Sequence, residues 1–329
     1  MPIFSASAPG KIILFGEHAV VYGKPAIAMP VTQVRARVTV IPKIGGKSDE
    51  VRIQAPAVGL DSLWGDLPST NPVSAALHGV VSTLGVHAVP ACTLKVSSSI
   101  PVASGLGSGA AVSVALIRAF SAFLGHPLPD ETASALAYEI EKIHHGTPSG
   151  IDNTVVTYAR PVYFVREDEG AKIETFAVPR PFTIVIGDTG IPASTRETVS
   201  DVRRARKAAP ARYERLFAAA GSIAKAARQA IESGRPEHLG PLMDENQILL
   251  SEMGVSSKKL DALVTAAKTA GALGAKLSGG GRGGNMIALI DPGTDDANLA
   301  AESVAQALKN AGAVRTVVTT LNNTEMYEK

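Results

Sequence analysis

Residues 101–124 read PVASGLGSGAAVSVALIRAFSAFL. The stretch opens as a glycine-rich turn, with Gly105, Gly107 and Gly109 interleaved with Ser104 and Ser108. It continues as an Ala-rich segment, apolar nearly all round, which predicts a buried helix over 107–124. A glycine-rich turn feeding a helix N-terminus offers free backbone N–H groups and the positive end of the helix dipole. Both suit a phosphate, and the two serines add hydroxyl donors. The turn is not a Walker A loop, because no Gly-Lys-Ser/Thr follows. From these residues alone, a tight strand-to-helix turn without a ligand remains open.

Outward from this centre, strands and helices interleave. Residues 33–41 (QVRARVTVI) alternate polar and apolar, as a half-buried strand does. Residues 51–54, 93–98, 161–165, 182–187, 285–290 and 313–321 predict further strands. A helix is expected over about 131–145, with Asp130 as N-cap, Leu136, Ile140 and Ile143 as its apolar stripe, and Gly146 at its end. Ser194-Thr195-Arg196-Glu197 has capping-box spacing, so a helix should start there. Ala-rich helical patterns run on to about 234, then over 237–250, 257–271 and 298–311. The last residues, 322–329, are polar and expected to fray. No internal repeat or low-complexity segment interrupts the pattern. At 329 residues, two domains are expected. The Pro179-Arg180-Pro181 stretch places the boundary, giving 1–178 and 179–329.

Composition narrows the class. Apolar residues make up 45% and charged residues 19%, an ordinary globular balance. A net charge of +2 creates no strong field for nucleic acid or an anionic membrane. The single cysteine, Cys92, excludes an intramolecular disulfide and fits a reducing, cytoplasmic setting. It lies in the strand-like run ACTLKVSSS and reads as a core residue. The apolar run Ile12–Phe15 is too short for a signal peptide and is followed by Glu17 and His18. Nothing approaches the roughly 20 apolar residues of a membrane span. Without secretion the sequon Asn322-Asn323-Thr324 is idle.

Three more stretches carry chemistry. Residues 278–284 read SGGGRGG, with five glycines in seven positions, closely flanked by regular elements. Such a loop lets another backbone or a ligand approach closely, although a flexible linker is the alternative. Residues 139–153 read EIEKIHHGTPSGIDN. Here Glu141 lies near a helix end and Asp152 follows a Pro-Ser-Gly turn. One acidic group beside a phosphate site can accept a hydroxyl proton and another can hold Mg²⁺; a solvated helix face and a turn residue are the competing readings. His144 and His145 read as last-turn residues favoured by the dipole. Residues 8–18 read APGKIILFGEH, where Lys11 opens an apolar strand. A lysine on a rigid strand can offset charge developing on a phosphoryl group, with a plain surface lysine as the alternative. The basic run Arg203, Arg204, Arg206, Lys207 reads as a solvated helix face.

Taken together, APGKIILFGEHAVVYGKPAIA at 8–28, IPVASGLGSGAA at 100–111, HGTPSGIDN at 145–153, GDTGIPASTRE at 187–197 and KLSGGGRGGN at 276–285 resemble the mevalonate kinases. These belong to the wider galactokinase, homoserine kinase, mevalonate kinase and phosphomevalonate kinase superfamily. The resemblance implies an α+β fold, with an N-terminal domain like ribosomal protein S5 and a ferredoxin-like C-terminal domain. It implies ATP-dependent phosphorylation of the mevalonate 5-hydroxyl in isoprenoid precursor synthesis, with ATP and Mg²⁺ required. Asp152 would be the catalytic base and Lys11 would sit beside the same hydroxyl. Pro101, Val102, Ala103, Ser104, Gly105, Leu106, Gly107, Ser108 and Gly109 would wrap the ATP phosphates. Glu141 would bind the metal with help from Ser108. His18, Thr189, Gly280 and Gly281 would face mevalonate. The expected partners are mevalonate and ATP, with a homodimer as the assembly to test and neither nucleic acid nor membrane.

Two motifs depart from the family pattern. The family's phosphate loop commonly reads Gly-Leu-Gly-Ser-Ser-Ala-Ala, and the second serine, a metal ligand, is Gly109 here. The third motif commonly reads Gly-Ala-Gly-Gly-Gly-Gly-Cys and here carries Arg282 and ends at Asn285. The competing readings are a sister kinase acting on phosphomevalonate, the mevalonate 3-hydroxyl or homoserine, and a non-catalytic ligand sensor.

Overall fold

The structure is a computed structural model, and it describes residues 2–101, 105–145, 148–167, 170–192 and 195–322. The chain divides into two compact units. The first comprises Met1–Gly10, Val34–Val102 and Leu106–Ala159; the second comprises Lys11–Gln33, Ala103–Gly105 and Arg160–Lys329. Two long strands, β1 (Phe4–Phe15) and β2 (Ala26–Pro42), each contribute residues to both units.

In the first unit, the later half of β2 buries Val34, Ala36, Val38 and Val40 and turns the residues between them outward. This is the alternation read from the sequence. It pairs antiparallel with β5 (Cys92–Ser98), from Ala36↔Ser98 to Pro42↔Cys92. Strand β3 (Val51–Ala55) runs parallel to β5 and antiparallel to β4 (Leu60–Leu63). Cys92 is 1% exposed and burial pushes its thiol up to about 12, so it is an inert core residue.

Four helices complete this unit. Helix α1 (Pro72–Leu84) begins with proline at its first position. Asn71 caps it, its side chain accepting from Val73 N at 3.0 Å and Ser74 N at 3.4 Å. Helix α2 (Ser108–Phe123) packs against α1, α3 (Asp130–His145) and α4 (Ile151–Tyr158). Its buried side is mostly Ala, Val, Leu and Ile, as the apolar pattern requires.

The expected stripe on α3 needs a correction. Ile140 is buried, but Ile143 is 42% exposed and Leu136 only half-buried. The inward face is Ala133, Ser134, Ala137, Ile140 and Glu141. The small residues let α3 lie close to its neighbours, which rotates the larger Ile143 outward. Asp130 is the first helical residue and binds Arg118 at 2.7 Å. Gly146, the expected end, lies outside the described residues.

The second unit is built on a four-stranded antiparallel sheet ordered β11–β8–β10–β9. Its strands are β8 (Phe182–Asp188), β9 (Gly274–Ser278), β10 (Asn285–Leu289) and β11 (Arg315–Leu321). In chain order the core reads β8, helices ending in α8 (Lys258–Thr269), β9, β10, α9 (Ala297–Asn310), β11. This is the βαββαβ order of a ferredoxin-like domain. Every residue of β9 and β10 is buried. Helix α8 packs on β9 and β10, α9 packs on β8 and β11, and α7 (Leu239–Glu252) packs on β9. Leu250, Leu260, Leu263, Leu277, Met286, Val304 and Leu308 fill the core between them. Each such side chain contributes about 1.5–3 kcal/mol by leaving water. The contact of α7 with β9 is backbone on backbone: a Cβ on Gly274 would stand 2.2 Å from Gly240 O.

Helices α5 (Thr195–Ala208) and α6 (Pro210–Glu232) occupy the Ala-rich stretch. Pro210 cannot continue α5 and starts α6 instead. Ser194 of the expected capping box lies outside the described residues. Arg203, Arg204 and Lys207 of the basic run are exposed, as a solvated face should be. Arg206 departs from that reading: it lies 4.9 Å over the Tyr22 ring and binds Glu214. The early part of β2 pairs with β6 (Val162–Glu167), which pairs with β7 (Gly170–Thr175).

Candidate active site

In the first unit, Gly107 precedes α2 with φ 71° and its carbonyl accepts from Ala111 N at 3.0 Å. Glycine meets this left-handed conformation without a Cβ clash. Among the described residues no side chain caps α2. Leu106 is buried and anchors the loop, while Ser108 is half-buried and Gly109 exposed. Gly109 is not in the left-handed region, and among the described residues a Cβ there would meet no atom within 4 Å. Val102, Ala103 and Ser104 lie outside the described residues.

Asp152 stands in the first turn of α4, half-buried, after Gly150 at φ 86°. Its neighbour fixes that turn. Asn153 is 5% exposed, and its amide donates to Ser134 O at 3.2 Å and Ser134 Oγ at 2.9 Å on α3. Thr154 Oγ1 donates to Gly150 O at 2.7 Å. Glu141 is only 8% exposed on α3. The reading of Glu141 as a solvated-face residue is therefore removed, and its carboxylate belongs to the interior. The side chains of His144 and His145 lie outside the described set.

In the second unit, Lys11 is 9% exposed and is not a surface lysine. The chain turns sharply after β1. Gly16 has φ 94° and a Cβ there would lie 2.4 Å from Pro25 O. His18 follows at φ 59°, unusual for a residue with a side chain. Its Nε2 lies 3.0 Å from Gly280 O and donates to it, which leaves Nδ1 as an acceptor. Among the described residues Nδ1 has no hydrogen-bond partner. Burial lowers the His18 pKa to about 4, with the Gly280 hydrogen bond opposing and the Arg282 charge assisting. The imidazole is neutral at pH 7.

Thr189 is 1% exposed and follows β8. Its Oγ1 donates to Gly284 O at 2.8 Å, and its N–H donates to the same oxygen at 2.9 Å. His18 and Thr189 are thus tied to opposite ends of the glycine loop. The loop's glycines have structural work of their own. Gly281 lies at φ 75°, where a Cβ would stand 2.0 Å from Val255 O. A Cβ on Gly280 would stand 2.9 Å from Thr195 Oγ1. The Arg282 guanidinium pairs with Asp201 on α5, and its own N–H donates to Val255 O at 2.8 Å.

A buried ion pair was not expected from sequence. The ammonium of Lys276, on β9, bonds Glu17, and their side chains are 0% and 1% exposed. Lys276 also donates to Leu277 O at 2.6 Å. Burial pushes the Lys276 pKa down, and Glu17 opposes that shift. Both residues lie inside quoted motifs, yet neither motif signals that they meet. The described residues contain no group of three or more His, Cys, Asp or Glu arranged to hold a metal ion.

A lysine, acidic side chains and a glycine-rich turn at a helix N-terminus are residue types that phosphoryl transfer uses. The family model for the GHMP kinases N terminal domain matches residues 71–160, and that for GHMP kinases C terminal matches residues 227–312. The chain belongs to the GHMP kinases. Within that family its relatives include mevalonate kinases. The enzyme of Thermococcus gammatolerans is 39% identical over 302 residues, covering 86% of this chain and 88% of that one. The enzyme of Aeropyrum pernix is 38% identical over 312 residues, covering 93% and 94%. Among solved structures, L. major mevalonate kinase in complex with R-mevalonate superposes with a TM-score of 0.81 at 29% identity, covering 98% of this chain and 97% of that one. These matches agree with the two-domain α+β kinase fold expected from the motifs.

Proposed function

We propose that this chain is an ATP-dependent mevalonate kinase that phosphorylates the 5-hydroxyl of its substrate. The observation that carries the reading is 38–39% identity to mevalonate kinases over nearly the whole chain. The burial of Lys11 and Glu141 supports it, because a charged side chain leaves water only for a partner or a task.

In the proposed reaction, Asp152 accepts the proton of the 5-hydroxyl as its oxygen attacks the γ-phosphorus of ATP. The bond from the γ-phosphorus to the bridging oxygen breaks, and ADP leaves with the electron pair. Lys11 offsets the negative charge on the transferring group. The backbone of 105–109 and the leading N–H groups of α2 hold phosphate oxygens. Pro101, Val102, Ala103 and Ser104 belong to the same proposed loop. His18, Thr189, Gly280 and Gly281 form the mevalonate side. Hard oxygen donors suit Mg²⁺, and the buried Glu141 carboxylate and the half-buried Ser108 hydroxyl would be the residues to hold it. The metal would offset charge on the phosphate oxygens. Gly109 would offer it no side-chain donor.

The boundary at 178/179 is proposed as the limit between the two family domains; it falls in the gap between the matched segments 71–160 and 227–312. A cytoplasmic location and a homodimer belong to the same proposal. None of the described helices is long and apolar enough to cross a membrane.

A coupled ADP-release assay over mevalonate, phosphomevalonate, homoserine and galactose tests the reading. Turnover is expected with mevalonate. Preference for another acceptor reassigns the chain to a sister kinase, and no turnover with any of them favours a ligand sensor.

A further inference from the structure

Strand β9 and the residue pair that follows it carry a row of polar bonds to a single segment of chain. Lys276 Nζ bonds the Glu17 carboxylate, Ser278 Oγ donates to Ile13 O at 2.7 Å, and Gly280 O accepts from His18 Nε2 at 3.0 Å. Lys276 and Ser278 share one face of β9 by the two-residue period of a strand, and the turn that follows, with Gly279 at φ 83°, brings the Gly280 carbonyl to the same segment. Their partners all lie in the end of β1 and the turn after it. That turn is tight and unusual: Ala19 N donates to Glu17 O at 2.6 Å and Val20 N to Gly16 O at 3.1 Å, with positive φ at Gly16 and His18. Glu17 sits between those two positive-φ residues, and its side chain is held by Lys276 alone among the described residues. Its second oxygen, Oε2, has no hydrogen-bond partner among them, and neither has His18 Nδ1.

A fully buried ion pair is a poor route to stability, because apolar residues of the same volume often do as well or better. What such a pair can do is fix one geometry among several. We propose that Lys276, through Glu17, is a positioning residue for substrate binding: it holds the left-handed backbone of His18, so that Nε2 stays on Gly280 and Nδ1 faces a substrate oxygen. The inference rests on the mevalonate-kinase reading above and extends it to a residue that touches neither substrate nor nucleotide. Without the pair, the bond from His18 to Gly280 O is the side-chain tether left to the Gly16–His18 turn among the described residues, and the imidazole can exchange tautomers and lose its aim.

The experiment uses the full chain and the double variant Glu17→Gln with Lys276→Met, which removes both charges while keeping length and shape. The expected result is a KM for mevalonate raised about tenfold or more, a KM for ATP within threefold of wild type, and an unchanged thermal midpoint. Nitrogen NMR of the histidine ring should show His18 of the wild type as the Nε2–H tautomer and a tautomer mixture in the variant. The single variant Glu17→Gln serves if the double variant does not fold, with the same two readouts. Wild-type KM for mevalonate together with an unmixed tautomer overturns the proposal. The wild-type enzyme, assayed alongside, separates this from failure of the functional reading: no mevalonate turnover there would defeat the reading itself, whereas active wild type with an indifferent variant defeats only the positioning role.

Discussion

At the scale of single residues, Asp152→Asn is the sharpest change, since it keeps size and removes the proposed proton acceptor. Loss of a general base costs roughly 10²–10⁴ in rate, so kcat should fall at least a hundredfold while ATP binding, read by calorimetry, stays within about threefold. A kcat within threefold of wild type removes Asp152 from the chemistry. His18 carries a pH prediction. Its folded pKa of about 4 lies below the ordinary 6.5, so the unfolded chain takes up the proton first as pH falls. The neutral ring's contribution is therefore fully present above about pH 6.5 and is lost progressively down to pH 4. That amounts to about 3 kcal/mol across the window. Urea midpoints at pH 7 and pH 5 should fall further for wild type than for His18→Gln; equal falls would show that His18 is not buried neutral. His18 and Asp152 stand out in the sequence because each lies inside a local motif, and their roles belong to the proposal. The Lys276–Glu17 pair was not legible. Its members are 259 positions apart, and a lysine within a strand normally reads as solvent-facing.

At the scale of elements, the start of α2 and the body of α3 decide how a metal would be held. Gly109→Ser adds a hydroxyl where φ is not positive and no atom of the described residues lies within 4 Å, so it should fold normally and lower the Mg²⁺ requirement or leave it unchanged. Glu141→Gln should raise that requirement sharply. Both are read by Mg²⁺ titration of kcat at saturating ATP, and a Glu141→Gln variant that titrates like wild type places the metal elsewhere. The glycine loop gives a stability prediction. Gly281→Ala meets positive φ and the Val255 carbonyl together, and should cost about 2 kcal/mol or more, read from denaturant midpoints. An unchanged midpoint would mean the loop yields freely. Elements with a clear period were legible in the chain: the later half of β2 alternates, and α2 is apolar all round. The early half of β2, Ala26–Val31, is buried on both faces, so it shows no alternation. On α3 the inward face is made by Ala133 and Ala137, whose small side chains signal weakly, and the larger Ile143 misled the stripe. Short α4 and β9 lack the length for any period to emerge.

At the scale of the whole molecule, the fold class was legible from motif order, and the ferredoxin-like strand order β11–β8–β10–β9 agrees with it. The interleaving of the two compact units was not. Strands β1 and β2 each divide between the units, and no local signal marks a strand that changes partners midway. What the sequence carries best is family membership, because it sits in short motif runs of glycine, acid and base that the two family domains share. The central claim is that these runs transfer the γ-phosphate of ATP to one hydroxyl of mevalonate. Phosphorus NMR of the product, formed from mevalonate and ATP with Mg²⁺, measures it directly. The account predicts a single phosphomonoester on the 5-oxygen, coupled to the two protons of its CH₂ group. A phosphate on the 3-oxygen, or turnover only with an already phosphorylated acceptor, would contradict it.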